Sequence, residues 1–112
     1  MKRKLRYQTY LGAFLFIPII AFAVSGWTDY VPVKELTPTI HGRFLVKLKV
    51  TENPSGCKNK EVFYRDYGIP GAEQMYDALL NAVATGKKVR VYVTGICDLN
   101  GYSDISSVAI VP

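Results

Sequence analysis

The chain has 112 residues, 49% of them hydrophobic, with 14 Lys and Arg against 9 Asp and Glu and a formal net charge of +5. That length allows one domain with a modest core. Four of the basic residues, Lys2, Arg3, Lys4 and Arg6, crowd the start, so ten basic residues face nine acidic ones in the remainder, a net of +1, and a nucleic-acid or anionic-lipid function loses its main support.

The basic start is followed by an apolar run from Leu11 to Val24, interrupted by Gly12 and Pro18. This is the pattern of an export signal, and it is too short and too broken for a comfortable membrane span of ~20 residues. Ala21-Phe22-Ala23 supplies the small residues a signal peptidase reads, so residues 1–23 are expected to be removed and residues 24–112 to form the exported domain. Cleavage after Gly26, leaving Trp27 first, is the fallback. No stable membrane insertion is expected after cleavage.

Val31 and Val33 alternate around Pro32 in a short first strand, where the proline suits an edge or a strand start. The second strand is clearer: Phe44, Val46, Leu48 and Val50 share one face, and Leu45, Lys47 and Lys49 share the other. A turn at ENPSG precedes a third strand over Glu61–Arg65, which DYGIPG ends. From Ala72 the period becomes helical, with Ala72, Met75, Tyr76, Leu79, Ala82 and Val83 on one face and Glu73, Gln74, Asp77, Asn81 and Thr85 on the other. Glu73 and Asp77 near its start and Lys87 and Lys88 beyond its end suit the helix dipole, and Gly86 is placed as a left-handed cap. Val89, Val91 and Val93 alternate in a fourth strand, and Ile105 to Val111 form a fifth.

The order β-β-β-α-β-β makes the fold mostly β with one helix, a five-stranded Greek-key barrel of the OB type that a helix can plug at one end. The alternative is a four- or five-stranded sheet with the helix packed on one face. Cys57 and Cys97 are an even pair, read as a disulfide in an oxidising compartment. A free thiol or a metal pair is the other reading. In an OB barrel the third and fifth strands run side by side and parallel, which brings the two cysteines together. Closing a loop of this size is worth ~4 kcal/mol, much of a small domain's stability.

The candidates for chemistry are few. His41 stands alone in TPTIHGR with no serine or cysteine motif beside it, and reads as an exposed loop residue. GxSxG, HExxH, GxGxxG and P-loop patterns are missing from the sequence. DLNGYSD, with Asp98, Asn100 and Asp104, lacks the glycine position and distal glutamate of a calcium loop and reads as an Asn-Gly turn. No catalytic role, cofactor or metal is expected. Aromatic residues are better candidates, because tyrosine and tryptophan pair an apolar face with a polar tip. The cluster Tyr64, Arg65, Asp66 and Tyr67, read as a loop before Gly68, is the most site-like stretch, and Tyr102 and Trp27 join it as candidate ligand contacts.

MYDALLNAVATGKKVRVYVTGICDLNGYSDISSVAIV resembles the C-terminal half of small exported proteins related to the B subunits of subtilase cytotoxin and pertussis-type toxins. The matching positions are Thr85-Gly86, Val89 to Val93, Cys97 and Tyr102 to Ile110, with Cys57 and an aromatic start at Trp27 upstream. The resemblance implies an OB-fold ring, commonly a pentamer, that binds host cell-surface glycans and delivers a catalytic A subunit. It carries over no binding residue. The chain is thus expected to be a non-catalytic, periplasmic or secreted binding subunit. A stand-alone exported protein-interaction module without lectin activity is the second hypothesis. Nucleic acid is not an expected partner.

Overall fold

The computed structural model describes residues 24–98 and 100–112; the leader assigned to residues 1–23 lies outside them. Six strands and one helix follow in the order β1 (Gly26–Trp27), β2 (Val31–Pro38), β3 (Arg43–Leu48), β4 (Val62–Asp66), α1 (Ala72–Thr85), β5 (Lys88–Cys97) and β6 (Ser103–Ile110). The sheet runs β1-β5-β2-β3-β4-β6, and an additional β5–β6 pairing closes β2 to β6 into a five-stranded barrel. All its pairings are antiparallel except β4 with β6, which is parallel. This is the strand order of an OB-type barrel.

Alternation builds the wall. Phe44, Val46 and Leu48 are fully buried, and so are Phe63, Val89, Val91, Val93 and Ile105 from the strands around them. Period-2 spacing sends these to one side and Arg43, Leu45 and Lys47 to the other. The helix lies against β2, β5 and β6, and Ala72, Met75, Leu79 and Ala82 enter the same core. Tyr76 sets its ring edge-on to Phe44, 5.5 Å between centroids. Gly86 caps the helix in the left-handed conformation, φ 70°, donating its N–H to Ala82 O, as its placement after Thr85 implies.

The ends of the strands read at Phe44 to Val50, Glu61–Arg65 and Ile105 to Val111 shift by one or two residues, and four further details differ from the sequence reading. Val83, expected on the buried helix face, is 50% exposed. The core takes the line 72-75-79-82, and Val83 lies one step round the helix from it. The first strand is longer than Val31–Val33, reaching Pro38. It is preceded by β1, which lies on β5 through Gly26↔Val93 and Trp27↔Tyr92, while Val31 and Pro32 pair further along the same strand with Val89 and Lys88. Between the two pieces Thr28 keeps the ladder going, its N–H donating to Val91 O at 2.9 Å and its hydroxyl accepting from Val91 N at 3.1 Å. Finally, β5 runs past Thr94 to Cys97, which pairs with Ser103 at the start of β6.

The cysteines are joined, with Cα atoms 5.7 Å apart and a sequence separation of 40. The parallel pairing Phe63↔Ser103 brings the start of β6 beside β4, and the loop before β4 is tied to the same point. Ser55 and Ser103 share a hydroxyl hydrogen bond of 2.9 Å, and Cys57 N donates to Ser55 Oγ at 3.1 Å. The disulfide therefore staples the junction of the third and fifth barrel strands.

Candidate functional site

Three segments converge on one side of the barrel. The β2–β3 loop brings Thr39 and His41, the outward face of β3 brings Arg43 and Leu45, and the β5–β6 turn brings Asp98, Asn100 and Tyr102. Together they line a groove of about 350 Å³. It continues into a depression lined by Arg43, Asp98 and Asn100 again, together with Tyr64 and Cys97.

Arg43 organises the floor. Its Nη1 donates to Asp98 Oδ2 at 2.6 Å, its Nε lies 3.1 Å from Asp66 Oδ1, and its guanidinium sits 4.3 Å from the centroid of the Tyr64 ring. One cation thus meets two carboxylates and an aromatic face, leaving the floor with a net negative charge. The cross-strand register explains the grouping, since Arg43↔Asp66 and Leu45↔Tyr64 are direct partners and share the outer face. Burial pushes the Tyr64 hydroxyl above its ordinary pKa of 10.0, with the Asp104 carboxylate adding to the effect and Arg43 opposing it.

Two loops shape the rim. Asp98 Oδ1 accepts from Asn100 N at 3.0 Å and Tyr102 N at 2.9 Å, so one carboxylate folds the turn with one oxygen and holds Arg43 with the other. Gly101 occupies the left-handed region at φ 80°, as an Asn-Gly turn requires. A Cβ there would also come 2.8 Å from Lys58 Cβ. Across the groove, Tyr67 fastens the β2–β3 loop: its hydroxyl accepts from Thr39 N at 2.8 Å, and its own N–H donates to Gly42 O at 2.8 Å. Thr39 Oγ1 in turn donates to Arg43 O, and His41 N donates to Thr39 Oγ1 at 3.2 Å. His41 is exposed, as expected of a loop residue.

The sequence candidates divide. Tyr64, Asp66 and Tyr102 come together around Arg43. Arg65 does not join them: it lies in β4, as the strand reading of Glu61–Arg65 expects and the loop reading of the cluster does not, and alternation separates it from its two neighbours. Its Nη1 is 3.7 Å from Asp104 Oδ2, which also accepts from Thr94 Oγ1 at 2.8 Å. Tyr67 supports the rim. Trp27 belongs to another patch, edge-on to Tyr92 at 5.4 Å and stacked by Arg90. Arg43, Leu45, Thr39, Asp98 and Asn100 were missed as a site. The signal was present in the outward positions of β3 and in the two loops that flank that face in an OB-type strand order.

Among the described residues no group of three or more His, Cys, Asp and Glu is placed to hold a metal ion, and no helix is long and apolar enough to cross a membrane. A larger depression of about 700 Å³, between Lys58, Asn59, Lys60, Glu61 and Asn100, is polar surface without an aromatic residue. Comparison with protein-family models, curated proteins and solved structures finds no match to the chain.

Proposed function

We propose that the protein is a non-catalytic, exported, ring-forming binding subunit of the AB5-toxin B type, which recognises host cell-surface glycans through the groove between the β2–β3 loop and the β5–β6 turn. The observation that carries this reading is the position of the groove. In five-stranded OB barrels, the face of the second and third strands, with the loops joining strands one to two and four to five, binds oligosaccharides and oligonucleotides. Here those elements are β3, β4, the β2–β3 loop and the β5–β6 turn.

The chemistry of the floor separates the two ligand classes. Phosphodiesters need unneutralised cations, but Arg43 is shared between Asp66 and Asp98. A sugar presents hydroxyls to carboxylate and guanidinium groups and an apolar ring face to an aromatic side chain, and the groove offers Asp98, Arg43, Asn100 and Tyr102 for these contacts. A shallow site of this size binds weakly alone, and a homopentameric ring presenting several copies would raise its avidity, which is why the ring belongs to the proposal. The export leader fits the same role, as does a catalytic A subunit as partner.

The test is binding of the disulfide-bonded protein to an array of mammalian cell-surface glycans, alongside Tyr102→Ala and His41→Ala. Binding by the wild type that falls at least tenfold in Tyr102→Ala supports the reading. Absence of binding by the wild type overturns it in favour of the protein-interaction module.

A further inference from the structure

The structure describes three arginines, and two are neutralised: Arg43 by Asp66 and Asp98, Arg65 by Asp104. The third, Arg90, forms no ion pair among the described residues. It is held between two aromatic rings on the outer wall of β5, its guanidinium carbon 4.4 Å from the Trp27 centroid and 4.9 Å from that of Tyr30. Its Nε is buried without an acceptor, as is that of Arg65, but only Arg90 has no carboxylate on the rest of its guanidinium among the described residues. Trp27 and Tyr30 are themselves 38% and 39% exposed, so the clamp opens outward. Lys88, two residues back on the same side of β5, is exposed and adds a second positive charge.

The two rings stabilise the guanidinium by cation–π contact, and they leave its hydrogen-bonding edge free for a carboxylate from outside the chain. Trp, Tyr and Arg are the side chains that dominate protein interfaces, and aromatic walls strengthen a guanidinium–carboxylate bond by keeping water away. The missing carboxylate is present on another face of the same molecule. Glu73 and Asp77 are exposed on α1 without an ion pair among the described residues, and Leu80, 49% exposed, lies one turn beyond Asp77. Spacings of four and three put these residues in one stripe, acidic at one end and apolar at the other. The Arg90 patch carries the complementary pattern, cationic with an aromatic rim.

We propose that copies of this chain associate head to tail, with the Glu73–Asp77–Leu80 stripe of one copy docking on the Arg90–Trp27–Tyr30 clamp of the next. The acid supplies the carboxylate that Arg90 lacks, and Leu80 covers the Trp27 rim. Because the two surfaces differ, the contact is heterologous and propagates into a ring when its rotation closes. This rests on the ring in the proposed function and names the surfaces that form it.

The test is the solution mass by light scattering of the exported, disulfide-bonded protein and three variants, with circular dichroism to establish that each is folded. The wild type is expected to be an oligomer, and Arg90→Glu a monomer. Glu73→Lys with Asp77→Lys is expected to be monomeric as well, and it remains informative if Arg90→Glu does not fold. Combining the three substitutions should restore the oligomer by exchanging the charges. A monomeric wild type, an unchanged mass in folded Arg90→Glu or Glu73→Lys/Asp77→Lys, or a folded triple variant that stays monomeric overturns the proposal. Glycan binding read on the same samples keeps the two readings apart: an oligomer indifferent to these substitutions overturns the interface and leaves the groove standing.

Discussion

Arg43 Nη1 lies 2.6 Å from Asp98 Oδ2, a bond between residues 55 positions apart that joins the second barrel strand to the turn before the last. Because the other carboxylate oxygen folds that turn, Asp98 is a structural residue at the edge of the site. Asp98→Ala should lower unfolding free energy by about 2–3 kcal/mol, since it leaves a partly buried arginine short of a partner and frees two backbone donors. Asp98→Asn, which can still accept from the turn, should lose less. Urea denaturation of the two variants measures the difference.

The disulfide should dominate the stability of so small a domain. Replacing Cys57 and Cys97 together by serine is expected to cost ~4 kcal/mol, by the loop-closure entropy that the staple removes from the unfolded chain. Denaturation of the oxidised wild type and the double variant under the same conditions tests this.

The helix offers a paired comparison. Leu79 is fully buried and Val83 is half exposed. Leu79→Ala should destabilise by about 2–5 kcal/mol through the cavity it leaves, whereas Val83→Ala should change stability by no more than about 0.5 kcal/mol. Thermal melts of the two variants separate the observed burial from the wider apolar face that helical periodicity suggests.

Asp29 gives the clearest acid dependence. Burial opposes its ionisation, but hydrogen bonds to its carboxylate from the Glu52 and Thr51 N–H groups and the Thr51 hydroxyl prevail and hold its pKa below 3.8. A depressed folded pKa means the stabilisation is present above pH 3.8 and is lost as pH falls through the folded value. Asp29→Asn should therefore be less stable than the wild type at neutral pH, with the gap narrowing as pH falls below that point. Parallel denaturation curves across pH 2–6 are the measurement.

Much of the architecture was legible because it is local. Alternation through Phe44, Val46 and Leu48, the helical line from Ala72 to Ala82, and Gly86 at its end each follow from neighbouring residues. The cysteine pairing followed from strand order. What was not legible depends on distant partners. β1 is only two residues long and exists because β5 offers it an edge. Arg43 becomes the centre of a site only when Asp66 and Asp98 arrive from β4 and the β5–β6 turn. The Tyr64–Tyr67 stretch looked like one cluster because its residues are adjacent in sequence, but strand geometry sends Arg65 away from Tyr64 and Asp66.

The most direct test of the groove is amide chemical-shift mapping of the full disulfide-bonded protein titrated with pooled oligosaccharides released from mammalian cell-surface glycoproteins. Saturable shifts concentrated at His41 to Leu45 and Asp98 to Tyr102, absent in Tyr102→Ala, are the expected result. Shifts confined to the Trp27–Tyr30–Arg90 wall, or none at saturating oligosaccharide, would contradict it.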